Sequence, residues 1–496
     1  MPHYLARVSR FEGIEQIQQR EEGDMTSTSS DQLWEAGAGR QEASRAHAVR
    51  VSRRRVLGWS GVGMGAVAAA ACGTSTGSSG GEAKPGTGAV SARGTVTHFT
   101  WGNSFSDGIE QKVIDAFQAK QSKIKINFVN SQSDHFTKLT AAIAGGDPPD
   151  TALVDGYDIR NLIKKGGALD VTSRMQRDGI KKEDYIESWF DEFLYKGKYY
   201  YHPNMRGSTA SFFYNKNLIE KMGAKVPSEG WTLDDWLDIA QKTTRDSKGL
   251  APTQAGFDPG SATFGTERPG LWWPFLWVNG AELIDLDKNV CTLDSPAAIE
   301  SFQFLQDLVH KHKVTRNSFT GIPGASDLFV QGRLAIVHQW FTDIPRYRAE
   351  IHDFEWDTVV MAQGKLRKQI GLYKGNGEVI PTGAKNPDAA WEFMKFLGGY
   401  EAMLIYGVEG RFVPALKKAN QDPQFLKSGK PPKNLATFTD GRVKTLPLMP
   451  EWNDFNRDVW NPALDKIWNN QASPKEVLPE VARMTTENYL KNREKY

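Results

Sequence analysis

The densest run of rings in the chain is Trp272-Trp273-Pro274-Phe275-Leu276-Trp277, in a sequence that holds 15 tryptophans. Indole faces are flat apolar platforms, suited to the C–H faces of a polyhydroxylated ring, and carboxylate, amide or guanidinium groups can serve its hydroxyls. Trp101 with Asn103, and Asp155 with Tyr157, each set an aromatic ring within two residues of such a polar group. Arg411 is a further cationic candidate, and Gly375-Asn376-Gly377 would let backbone approach a ligand closely. Each has a plainer reading. Trp273 and Trp277 share a helical face that suits a core, and Trp101 suits one as well. Asp155 and Tyr157 could belong to a helix cap.

Patterns for covalent or metal chemistry are missing from the body of the chain. Between Gly94 and Tyr496 there is no His-Glu-x-x-His and no Gly-x-Ser-x-Gly. Asp285-Leu286-Asp287-Lys288-Asn289 starts like a calcium loop, but Val290 and Pro296 occupy the sixth and twelfth places, so a turn is the better reading. His310-Lys311-His312 reads as a solvated helix end. No cofactor and no metal are expected. A pair of carboxylates for glycoside hydrolysis cannot be picked out from so many acidic residues, so an exported carbohydrate hydrolase stays open as an alternative.

These candidates must be held by elements that the periodicity outlines. Thr95–Trp101 reads as a strand, and Ile109, Val113 and Phe117 follow at helical spacing. Ile124, Ile126 and Phe128 alternate as a strand does. Phe136, Leu139 and Ile143 line a helix, and Pro148-Pro149 precedes a short strand, Thr151–Val154. Strand, helix, strand, helix, strand is the order of an α/β sheet, in which ligands gather at the C-terminal ends of parallel strands. Those ends are Trp101–Ser104 and Asp155–Tyr157. Further on, Tyr199–His202 and Thr209–Tyr214 read as strands, Trp231–Thr243 as a helix capped by Thr232, and Leu283–Leu293 as a hairpin. Ile299, Phe302, Leu305 and Val309 share one helical face, Leu334–Val337 is a strand, and Ala390, Phe393, Met394 and Leu397 line another helix.

The N-terminal portion reads as an address. Arg53-Arg54-Arg55 precede a Gly/Ala-rich apolar stretch, Val56–Ala71, of 16 residues, short for a membrane span of about 20. The arginines followed by Val56-Leu57 resemble a twin-arginine export signal, and Ala69-Ala70-Ala71-Cys72-Gly73 resembles a lipobox with Cys72 as the acylated residue. A membrane anchor is the alternative, and it too puts the body outside. Residues 72–93 read as a flexible Gly/Ser-rich tether. A formal net charge of +2 suggests no nucleic-acid partner, and with Cys72 lipidated Cys291 has no disulfide partner.

Four ordered segments of the body resemble the extracellular solute-binding proteins that include maltose-binding protein and many sugar-transporter receptors. They are Phe136–Thr172 with Ala144-Gly145-Gly146-Asp147-Pro148-Pro149-Asp150; Tyr199–Pro203 leading to Phe213-Tyr214-Asn215-Lys216 and Trp231-Thr232; Phe329–Ile336; and Val379-Ile380-Pro381 with Lys385–Phe393. The resemblance implies a two-lobed periplasmic-binding-protein-like α/β fold of class II. Residues 94–210 and 371–404 would form one lobe and residues 211–370 and 405–496 the other, with the leader and signal over 1–71. It implies a ligand in the cleft, hinge closure on binding, and an ABC importer whose permease subunits recognise the closed form. His202, Pro203 and Arg206 would lie near the hinge, where Arg206 could instead make an ordinary ion pair, and Trp340 would offer a stacking ring. The expected partners are a small sugar, the permease and, through the lipid, the outer face of the cell membrane. The receptor is expected to act as a monomer. A peptide, polyamine or amino acid is the alternative ligand.

Overall fold

The computed structural model describes residues 92–192, 194–202, 207–244, 255–258, 272–315, 324–439, 442–445 and 452–491. All lie within a compact unit spanning Thr87–Tyr496. Cys72, the stretch read as a signal and the expected tether up to residue 91 lie outside the described residues, as do Pro203 and Arg206.

The first lobe opens with β1 (Gly94–Thr100), α1 (Ser104–Lys120), β2 (Ile124–Asn130), α2 (His135–Ala144), β3 (Thr151–Asp155) and α3 (Gly156–Lys164). β2 and β3 both pair parallel to β1, as the alternation of elements requires. Helix α1 begins where Asn103 and Ser106 close a capping box, which satisfies two backbone N–H groups that would otherwise lack partners. Its buried face, Ile109, Val113 and Phe117, is the one the spacing predicts.

The second lobe follows with β4 (Ser208–Asn215), α4 (Leu233–Thr243), β5 (Ala255–Asp258), α5 (Trp273–Val278), α6 (Pro296–His310), β6 (Leu334–Trp340), α7 (Ile344–Glu350), β7 (Trp356–Val359) and β8 (Gly371–Lys374). Thr232 caps α4 through a capping box with Asp235, and Ser295 with Pro296 starts α6. The chain then re-enters the first lobe as β9 (Asn376–Val379), α8 (Pro387–Leu397) and α9 (Tyr400–Glu409). It ends in the second lobe with β10 (Val443–Thr445), α10 (Asn461–Trp468) and α11 (Pro474–Thr485).

Two sheets result. One has the order β9-β3-β1-β2; the other has the order β10-β8-β4-β6-β5, with β7 also pairing β4. In the second sheet β4 runs antiparallel to β8, β6 and β7, so this lobe departs from the mostly parallel pattern of the first. Phe212 on β4 centres its core, packed among Trp231, Trp236, Phe275 and His338.

Three expectations from sequence shift. The segment 199–202 forms no strand; it is tied down by Tyr199 N–H to Thr172 Oγ1 (2.9 Å), with only His202 bridging to Glu378. Ser208–Ala210 and Gly371–Lys374 belong to the second sheet, because each pairs there, so the passages between lobes fall before Ser208 and at Gly375. The first lobe also extends beyond residue 404. Helix α9 is continuous to Glu409 and lies on α1, where the Tyr406 hydroxyl donates to Glu110 Oε2 (2.7 Å) and Lys112 pairs with Glu409 (2.9 Å).

Candidate functional site

The meeting edges of the two sheets bring the candidate groups together. β1 and β3 are parallel, so Trp101 and Asp155 emerge at the same edge of the first sheet. β9 runs antiparallel to β3 and sets Asn376 opposite Asp155. In the second sheet Ala210 on β4 pairs with Trp340 on one side and Leu372 on the other, and Lys374 pairs with Ser208. One residue, Gly375, joins β8 to β9 and so carries the chain from one sheet to the other.

Lys374 is the centre of the constellation. Its Nζ lies 2.8 Å from Asp155 Oδ2 and 5.5 Å from the centroid of the Trp340 ring. The two charged side chains are 12% and 11% exposed, which leaves a narrow access to solvent and strengthens the attraction over that of a surface pair. Trp340 is half-buried. A flat ring, a cation and a carboxylate thus lie side by side.

Behind them lies a buried clasp. The Gly375 N–H donates to Glu192 Oε1 (3.1 Å), and the Glu192 carbonyl accepts from Arg160 Nη2 (2.7 Å). Trp189 stacks on Tyr373 with ring centroids 3.9 Å apart. A Cβ added at Gly207 would come within 2.3 Å of the Tyr373 ring, so that approach is possible only for glycine. Trp189 and Glu192 therefore grip the β8-to-β9 crossing, at Tyr373 and Gly375. Burial pushes the Glu192 carboxyl up to about 8, against the opposing pull of the Gly375 N–H, Arg160 and Lys374.

Arg411 is buried beside the cleft edge of the first lobe. Its Nη2 donates to the Trp101 carbonyl (2.7 Å), its Nε lies 3.8 Å from Glu110 Oε1, and its guanidinium covers the Phe412 ring. Trp101 is half-buried and meets the His135 ring edge-on at 5.1 Å. Arg411 thus fixes the strand end that presents Trp101.

Other candidates have structural duties. Asn103 is exposed and spends its side chain on the α1 cap, accepting from Ser106 N–H at 3.2 Å. His202 is buried beside Trp391, at 5.3 Å between rings, and burial pushes its imidazole down to about 3; it belongs to the first lobe's interior. Trp273 and Trp277 are 1% and 3% exposed. Trp273 stacks towards Trp460 and Trp277 lies under Lys444, so packing in the second lobe accounts for both. Tyr157 sits in the first turn of α3, and its side chain lies outside the described residues. Gly375 and Asn376 are both buried at the crossing. Lys374, Glu192 and Arg160 were not singled out by sequence. The one local signal was that Lys374 immediately precedes Gly375-Asn376-Gly377.

Two α/β lobes, linked by strands that pass from one sheet to the other, with aromatic and charged groups where the sheets meet, define a two-lobed binding protein. The chain belongs to the bacterial extracellular solute-binding protein family, whose profile matches residues 102–404. Over 380 residues it is 23% identical to a putative binding protein of Brucella abortus (strain 2308), covering 75% of this chain and 87% of that one. Over 395 residues it is 23% identical to the galactooligosaccharide-binding protein of Bacillus subtilis (strain 168), covering 76% and 85%. An ABC substrate-binding protein of Listeria monocytogenes, solved in complex with cycloalternan, shares the fold with a TM-score of 0.69 at 23% identity, over 80% of this chain and 98% of that one. The family and these relatives are binding proteins rather than enzymes.

Proposed function

We propose that the protein is the extracellular substrate-binding component of an ABC importer and that it takes a sugar or oligosaccharide between its lobes. The observation that carries this reading is the Trp340, Lys374 and Asp155 constellation at the meeting edges of the two sheets. An indole face accepts the apolar side of a pyranose, and an ammonium–carboxylate pair offers a donor and an acceptor to neighbouring hydroxyls. The family match and the oligosaccharide-binding relative support the same ligand class. Binding is coupled to closure of the lobes about the crossings before Ser208 and at Gly375.

The test is a thermal-shift screen of the mature chain against neutral mono- and oligosaccharides. Stabilisation by one sugar class, with the sugar recovered intact, is the expected result. Hydrolysed product would replace this reading with that of an exported hydrolase. Anchoring through Cys72 after export by the arginine-led signal is part of the proposal. Cys72→Ser should move the protein from the membrane fraction to the medium; an unchanged distribution would overturn the lipid anchor.

A further inference from the structure

We infer that Lys374 sets the charge selectivity of the cleft, admitting neutral ligands and turning away cationic ones; the inference rests on the sugar-binding reading above. A carboxylate beside an indole face is by itself an attractive site for a ligand ammonium, through ion pairing and cation–π contact together. Asp155 and Trp340 supply those two parts. Lys374 occupies the position between them, with Nζ 2.8 Å from the carboxylate and 5.5 Å from the ring centroid. The protein's own cation therefore takes the place that a ligand cation would seek.

Lys374 is not a surface side chain that can swing aside. It lies in β8, with Ser208 opposite it, and is followed by Gly375, whose N–H is held by Glu192. Its pair with Asp155 is nearly nine-tenths buried. Displacing it would strand both charges in a poorly solvated space. A ligand amine stacked on Trp340 would instead sit close to a like charge. Hydroxyls meet no such penalty, since they accept from the ammonium and donate to the carboxylate. Among the described residues, the neighbouring charges Arg160 with Glu192 and Arg411 with Glu110 are engaged with one another or with backbone.

The test compares two kinds of probe on the full mature chain by isothermal titration calorimetry. The neutral probes are maltotriose, mannobiose and a galactooligosaccharide; the cationic probe is the glucosamine disaccharide with free amines. In the wild type the best neutral probe should bind at least about tenfold more tightly than the cationic one. Lys374→Met should uncover the Asp155 carboxylate and shrink or invert that preference by about tenfold or more, while Lys374→Arg should restore it. Selectivity within one folded variant is a ratio, so a general loss of stability cannot imitate the inversion, and the arginine variant covers the case in which the methionine variant fails to fold. Wild-type binding of a neutral sugar with the same preference in Lys374→Met, or lost preference in Lys374→Arg, overturns the role of Lys374 and leaves the sugar reading standing. Failure of the wild type to bind any neutral probe overturns both.

Discussion

Replacing Glu192 by glutamine should make the protein more stable, and increasingly so as pH rises. The group's ordinary value is 4.5, and burial pushes it up to about 8 in the fold. Between those values the folded chain holds a proton that the unfolded chain has released. Folding stability therefore falls as pH climbs from about 4.5 to about 8, and levels off above. Holding one proton across that window corresponds to a few kcal/mol, on the order of 3–5, at its upper end. The groups facing Glu192 are Arg160, Lys374 and Tyr373, and the attractions of the first two already oppose the upward push. Glutamine keeps an acceptor for the Gly375 N–H and has no charge to desolvate, so Glu192→Gln removes the slope and leaves the clasp. The assay is urea denaturation of both proteins from pH 4.5 to 9. Converging stabilities near pH 4.5 and a gap of at least about 2 kcal/mol in favour of the variant at pH 8.5 are expected. Parallel curves across that range would refute the claim that the buried carboxyl carries the pH dependence. A variant less stable at every pH would refute the neutral-clasp reading of the Gly375 contact.

Three further outcomes follow from the same geometry. Trp340→Ala should weaken binding of the recognised sugar by about tenfold or more, measured by titration calorimetry, while the melting temperature without ligand changes little; unchanged affinity would remove the ring from the site. Gly207→Ala forces a methyl to within 2.3 Å of the Tyr373 ring unless the hinge shifts. It should cost about 1–3 kcal/mol in denaturant unfolding, which a full-stability result would contradict. Burial pushes His202 down to about 3, so the folded chain stays neutral there while the unfolded chain takes up a proton below about 6.5. Stability should fall with acidity between those limits, and His202→Leu should flatten that part of the profile; an unaltered acid slope would count against it.

How far the sequence foretold this arrangement depends on how local each feature is. The strand ends at Trp101 and Asp155 were legible because parallel α/β pairing puts successive strand ends at one edge, and the periodicity alone located the strands. Thr232 and the buried face of α1 were legible for the same reason, since caps and helical faces are written within a few residues. Asn103 shows the limit: a short polar side chain after a strand serves equally as a ligand group and as a helix cap, and the capping box with Ser106 decides it. The Trp272–Trp277 cluster was conspicuous in sequence but is spent on packing, because composition cannot say which indoles the second lobe must bury. His202 fell to the same cause. Lys374 and Glu192 were invisible, since their roles exist only where residues far apart in the chain meet, at Asp155 and at Gly375.

The position of Gly375 explains why binding and closure should be one event in this protein. Lys374 precedes it and meets Asp155; Asn376 follows it and lies opposite the same Asp155; its own N–H is held by Glu192. The residue proposed to contact ligand, the residue that changes lobe and the residue that rejoins the first sheet are thus consecutive. Rotation of one lobe against the other must be absorbed over a very short stretch, because β8 and β9 are each fixed by their sheets on either side. A ligand that bridges Trp340 and the Lys374–Asp155 pair would act directly on that stretch. Its differential affinity for the closed state is then delivered at the hinge itself and needs no longer relay through the lobes.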